Sequence, residues 1–233
     1  MIQEHPYFTH PELFYQTKLT KIKYPSFDLM IEEIEDLDRC IDFQCSIIEK
    51  SDFSDFQNRI MEDLCPYFAK IWNCALNLTH WCISHQEVFK HKNILEIGAG
   101  LALPSLVLKK LGNQVTATDF HPHSQFFMHK NQHHNNLHFP YHIKSWKELC
   151  EIDGFKFDMI IASDVLYEGK YIGDLLQLLL KLLKPEGQVI LADPVRGYLQ
   201  KFINDASTNF NHELETFNCH QHENFILKLR RRI

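Results

Sequence analysis

Residues 93–193 constrain the fold more than any other part of the chain. Five short apolar runs, at 93–97, 114–118, 141–143, 157–162 and 188–192, alternate with stretches of helical spacing at 103–111, 122–135 and 175–183. Pro104 suits a first helical turn, Gly112 a helix stop, and Lys184-Pro185-Glu186-Gly187 a turn. Strand and helix in strict alternation imply parallel strands joined by crossover helices. Ligands in such sheets bind beyond the carboxyl ends of the strands, near the point where strand order reverses. Glu96, Asp119, Asp164 and Asp193 all stand at or just past expected strand ends, so one shared site is expected there.

The flanks differ. Residues 1–90 are aromatic-rich, poor in glycine and without a clear period, and residues 194–233 hold one helical stretch and two expected strands, 212–217 and 225–230. An antiparallel pair appended to a parallel sheet is unusual for a dinucleotide dehydrogenase. With 233 residues, 45% hydrophobic and 23% charged, the chain can build a full core without a disulfide or metal staple. A net charge of −6 is poorly suited to tracking a nucleic-acid backbone. The basic run from Lys228 to Arg232 reads as a solvated terminal strand edge rather than a binding patch. Seven cysteines without a Cys-x-x-Cys pair point to reduced, mostly buried thiols. No signal peptide is read at the start and no apolar run is long enough for a membrane helix, so a cytoplasmic protein is expected, with monomer as the default.

Glu96-Ile97-Gly98-Ala99-Gly100 closes the first run. Glycines there allow a sharp turn and close backbone approach to a ligand. A dinucleotide fingerprint would place a third glycine at position 103, which is Leu103. A lone Gly-x-Gly is also compatible with a plain tight turn. Asp119, 19 residues past Gly100, could accept hydrogen bonds from ribose hydroxyls or cap a helix. Ser163-Asp164-Val165-Leu166-Tyr167 would set an acid and an aromatic ring over the same site. That pair suits a sulfonium cofactor such as S-adenosylmethionine (SAM) electrostatically, and no hydride-transfer acid is evident.

These residues resemble the seven-strand SAM-dependent methyltransferases of family 16, the branch with an acidic-x-x-Tyr motif that methylates lysines in non-histone proteins, together with bacterial nicotinamide N-methyltransferase-like members. The match rests on Ile94 to Gly100 with Leu103-Pro104, on Asp164-Val165-Leu166-Tyr167, and on Pro66-Tyr67-Phe68 with Ile71-Trp72. Asp193-Pro194 with Arg196 and Tyr198-Leu199 is similar to the bacterial members. The sequence departs from the family at Leu101, Ala102 and Asn73, where a small or hydroxyl residue, glycine and proline are usual.

The resemblance implies an α/β fold: a Rossmann-like, seven-stranded, mostly parallel sheet with a C-terminal antiparallel hairpin and helices on both faces. Residues 1–60 would form an N-terminal extension or lid, and residues 61–233 the catalytic domain. It implies SAM as cofactor and S-adenosylhomocysteine as product. Cofactor contacts would come from Trp72, Glu96, Gly98, Ala99, Gly100, Asp119, Phe120, Trp146 and Ser163, with Trp146 on the adenine side. Trp72 could equally be a buried helix anchor and Trp146 a loop-capping ring. Asp164 and Tyr167 would be catalytic, and Asp193 and Arg196 would face the substrate. The acceptor expected is a protein lysine. A small nicotinamide-like amine, and a SAM-binding module without catalysis, are the alternatives. His121, His123, His129, His133 and His134 gather around the second helix without a nearby Glu or Cys, so they read as a solvated surface and not a metal site.

Overall fold

A computed structural model describes residues 10–49, 65–194, 197–219 and 222–232. Its strands and helices are β1 (Thr17–Lys23), β2 (Asp28–Ile34), α1 (Leu37–Glu49), α2 (Asn73–Ser84), α3 (Gln86–Phe89), β3 (Asn93–Ile97), α4 (Leu103–Lys110), β4 (Gln114–Asp119), α5 (Ser124–Asn135), β5 (Tyr141–Ile143), α6 (Trp146–Cys150), β6 (Phe157–Ser163), α7 (Ile172–Leu182), β7 (Leu183–Asp193), α8 (Gly197–Ala206), β8 (Phe210–Cys219) and β9 (His222–Arg231). The main sheet has seven strands in the order β5-β4-β3-β6-β7-β9-β8. β5, β4, β3, β6 and β7 pair in parallel, and β9 runs antiparallel to both β7 and β8. The strand order reverses between β4 and β6, either side of β3, which places the switch point at the Gly98–Gly100 loop. No helix among the described residues is long and apolar enough to cross a membrane.

Period-two alternation divides the core between the two faces of this sheet. Ile94, Val115, Met159, Ile161, Ile190 and Ile226 belong to one cluster, with Leu78 and Trp81 of α2, Leu106 of α4 and Phe127 of α5. Leu95, Ile97, Ile160, Val189, Leu191 and Leu227 face the other way, against Leu175, Leu178 and Leu179 of α7 and Phe202 of α8. Burying both faces explains why these strands read as continuous apolar runs. Local signals set the helix ends: Pro104 sits in the first turn of α4, Asn136 closes α5 in the left-handed conformation, and Ser145 with Glu148 forms a capping box on α6.

Three readings of the sequence need correction. The expected turn at Lys184–Gly187 is an irregularity within β7: Leu183 pairs Phe157 and Gln188 pairs Met159, so four residues on β7 face a single residue on β6. The basic run is not a sheet edge, because β9 lies between β7 and β8. Its Lys228 sits 5.7 Å from the Trp81 ring centroid and bonds Glu215, and Arg231 donates to the carbonyl of Leu183 at 2.9 Å. His121 and His123 are buried at 1% and 2% exposure and His134 Nε2 meets Glu32 Oε2 of the hairpin at 2.9 Å, whereas His129 and His133 lie on the open side of α5 as expected.

The aperiodic N-terminal zone holds the β1–β2 hairpin, which lies apart from the main sheet and packs on α5. Two asparagines one helical turn apart do the docking. Asn131 Oδ1 accepts from the Glu32 backbone N–H at 2.6 Å and its Nδ2 donates to the Glu32 carbonyl at 3.2 Å. Asn135 repeats the pattern on Met30, at 2.8 Å both ways. The side-chain amides thus stand in for a third strand, satisfying alternate residues of β2. Leu29 and Ile31 face the core shared with α2 and α5, and Tyr24 donates to Thr79 Oγ1 at 2.9 Å. The expected boundary between residues 60 and 61 lies outside the described residues.

Replacing Asn131 by Ala strands one backbone donor and one acceptor, each worth about 1–3 kcal/mol when buried. Urea denaturation of Asn131→Ala should therefore show a loss of about 2–3 kcal/mol, and Asn131→Asp, which cannot donate, should recover little of it.

Candidate functional site

The site begins with the backbone of the Gly98–Gly100 bend. Gly98, Gly100 and Ala102 all adopt positive φ, at 57°, 52° and 50°. A Cβ on Gly98 would lie 2.7 Å from Val165 Cγ1, and one on Gly100 would lie 2.7 Å from the Phe68 carbonyl oxygen. Glycine is therefore required twice, for conformation and for space. Ala102 holds the left-handed conformation without that freedom.

Gly100 is held from several sides. Its N–H donates to Asp119 Oδ2 at 2.8 Å, and its carbonyl accepts from the Tyr141 hydroxyl at 3.0 Å. The other Asp119 oxygen accepts from the His121 N–H at 2.9 Å. Burial raises the Asp119 pKa while these N–H donors lower it. Behind the bend, Glu96 is buried, and its Oε2 accepts from the Ser105 N–H at 2.9 Å. Glu96 Oε1 is buried without a hydrogen-bond partner. Burial first, and then the charge of Asp119, push the Glu96 carboxyl up to about 8.

A cover comes from the N-terminal side. Residues Pro66–Ala69 form a short 3-10 turn with Phe68 buried. Trp72 precedes α2, half-buried, with its Nε1 donating to the Tyr67 carbonyl at 2.8 Å. Glu33 of β2 reaches this segment and accepts from the Ile71 N–H at 3.1 Å. On the β4 side, Phe120 follows Asp119 with 45% of its surface exposed. The Lys144 N–H donates to the Asp119 carbonyl at 2.8 Å, which brings the start of α6 alongside. There Trp146 meets Tyr171 edge to face at 6.3 Å.

The opposite wall follows β6. Ser163 ends the strand half-buried, and Asp164 has a φ of 64° with its N–H donating to the Ala192 carbonyl at 3.0 Å. A non-glycine residue in that conformation is uncommon, although Asp is among those that tolerate it. Tyr167 is 44% exposed. Burial, then the negative charges of Asp119 and Glu168, hold its phenol well above the usual value. It therefore remains a neutral hydroxyl, able to donate a hydrogen bond but not to act as a phenolate base. Asp193 ends β7 opposite Phe225 and is fully buried. Arg196 lies outside the described residues.

The four carboxylates expected at strand ends thus meet at one edge of the sheet. Sequence reasoning missed the contact of Phe68 with Gly100. It also missed the inward His121 ring, stacked on Phe68 at 4.1 Å between centroids.

A family model described as lysine methyltransferase matches residues 57–217. A bovine protein-lysine methyltransferase, METTL21E, is 33% identical over 135 residues, 53% of this chain and 46% of that protein. A histone-arginine methyltransferase, METTL23, from Xenopus laevis is 30% identical over 117 residues, 48% of this chain and 50% of that protein. The chain spans about half the length of the curated relatives it matches. Among solved structures, a Thermus thermophilus 16S rRNA methyltransferase in complex with AdoMet and guanosine superposes with a TM-score of 0.62 at 15% identity, covering 93% of this chain and 51% of that one. A Pyrococcus furiosus methyltransferase gives 0.57 at 18% identity, covering 77% of this chain and 100% of that one. The structures share the fold; the family match extends over most of the sequence, and the chain belongs to the lysine methyltransferase family.

Proposed function

We propose that this chain transfers a methyl group from S-adenosylmethionine to the side-chain amine of a lysine in a protein substrate. The observation that carries this reading is the position of Asp164 and Tyr167 at the same sheet edge as the glycine bend, within a chain of the lysine methyltransferase family.

The residues present fit the cofactor. A buried carboxyl with one unpartnered oxygen, Glu96, stands behind a bend whose backbone tolerates no side chain at Gly98 and Gly100. Such a group suits the cationic amino-acid end of the cofactor. Asp119 is fixed at both oxygens by backbone donors, so its remaining lone pairs suit ribose hydroxyls. Ala99, Ser163, Phe120, Trp72 and Trp146 complete the proposed contacts, the exposed Phe120 face suiting adenine. When bound, the cofactor supplies a methyl group on a sulfonium and leaves as S-adenosylhomocysteine.

The chain's own task is to align and neutralise the amine. Holding it near attack distance contributes roughly 7–11 kcal/mol to lowering the barrier. Removing its proton near neutral pH costs roughly 4 kcal/mol from a pKa of about 10.4. We assign Asp164 to orienting the amine and accepting its proton through water, and the neutral Tyr167 hydroxyl to shaping the methyl channel. Asp193, buried at the end of β7, and Arg196 are assigned to the substrate side.

Incubating the purified chain with methyl-labelled SAM and a cell lysate tests the reading. A labelled protein band whose label maps to lysine is expected. Label on arginine, or only in small solutes, would move the acceptor to those classes, and no label at all would count against catalysis. Asp164→Asn and Tyr167→Phe should each lower turnover at least tenfold; full turnover by both would overturn their assignment.

Glu96 gives a test in the free protein. A carboxyl whose pKa is about 8 when folded and 4.5 in the reference state stabilises the fold most below pH 4.5. That contribution declines as the pH rises toward 8. Relative to Glu96→Gln, wild-type stability should fall between pH 5 and pH 8 by on the order of 1 kcal/mol per pH unit. A pH-independent difference in urea denaturation would show that Glu96 is already ionised.

A further inference from the structure

The N-terminal segment reaches the cofactor site by a second route, through a side chain that no motif singles out. Tyr15, just before β1, is buried, and its hydroxyl shares a 2.6 Å hydrogen bond with His123 Nδ1. The His123 backbone N–H donates to His121 Nδ1 at 3.1 Å. The His121 backbone N–H in turn donates to Asp119 Oδ1. His121 also stacks on Phe68, whose carbonyl lies against Gly100, and the Tyr15 ring meets Phe68 edge to face at 6.2 Å. The path therefore closes on itself: Tyr15 to His123, His121 and Asp119, then Gly100, Phe68 and back to Tyr15. Each member is buried, so none can exchange its partner for bulk water without local opening.

We propose that Tyr15 is a positioning residue for the cofactor site, a clasp that holds the turn after β4 in place and through it aims the Asp119 carboxylate. The proposal rests on the reading of Asp119 as a cofactor ligand. Its physical content is that His123 flanks α5 without a side-chain cap bond, so the turn after Asp119 is set by the His123 N–H to His121 Nδ1 bond together with the Ser124 hydroxyl donating to the His121 carbonyl at 2.7 Å. Loosening His123 would let the His121 N–H drift from Asp119, and the carboxylate would lose one of the backbone donors that fix its plane.

Tyr24 provides an internal control. It belongs to the same N-terminal unit and is equally buried, but its hydroxyl bonds Thr79 on α2, away from Asp119. A role in stability alone would make Tyr15→Phe and Tyr24→Phe behave alike.

Calorimetric titration of the full chain with SAM, paired with methyl-transfer kinetics, separates the possibilities. Tyr15→Phe should weaken SAM binding about 3- to 10-fold at unchanged stoichiometry, raising KM for SAM by a similar factor with kcat within twofold of wild type. His123→Phe should do the same. The double variant should be no weaker than the worse single one, since both break one bond. Tyr24→Phe should leave SAM affinity unchanged. Wild-type affinity in Tyr15→Phe, equal weakening by Tyr24→Phe, or additive losses in the double variant would overturn the clasp while leaving the cofactor reading intact. Failure of the wild-type chain to bind SAM would overturn the cofactor reading, and the clasp with it.

Discussion

The hydrogen bond from the Gly100 N–H to Asp119 Oδ2 ties two neighbouring parallel strands together beyond the end of their ladder. Most of the site is arranged around it. The Tyr141 hydroxyl fixes the carbonyl of the same glycine, and the Phe68 carbonyl occupies the space where a side chain would stand. Gly100 thereby becomes the meeting point of β3, β4, β5 and the N-terminal cover. Any side chain at this position would disturb the bend and the cover together.

The electrostatics follow from this crowding. Glu96 and Asp119 lie within one another's field in a buried setting, where ionised carboxylates are costly without compensation. Backbone N–H groups offset part of that cost at Asp119, and only one such donor reaches Glu96. Burial therefore keeps the Glu96 carboxyl protonated at neutral pH in the free protein, and a cation bound beside it would favour its ionised form.

Residues 93–193 were legible because β3, β4 and β6 are short runs ended by glycine or an acid, and both sheet faces are buried. The strand-end carboxylates followed directly from that pattern. The β1–β2 hairpin was not legible. β1 buries little of its surface, β2 turns Glu33 inward where alternation leads to a core face, and the partner that satisfies β2 is a pair of asparagine side chains a hundred residues away. His121 and His123 were read as part of a wet helix face for the same reason. The rings that bury them, Phe68 and Tyr15, come from distant segments that carry no periodic signal of their own.

The strand order has a kinetic corollary. β8 precedes β9 in the chain, yet β9 is the strand that joins it to β7. β8, with its outward Leu214, can therefore join the sheet only together with or after β9. The parallel strands that frame the glycine bend can assemble before that strand is incorporated.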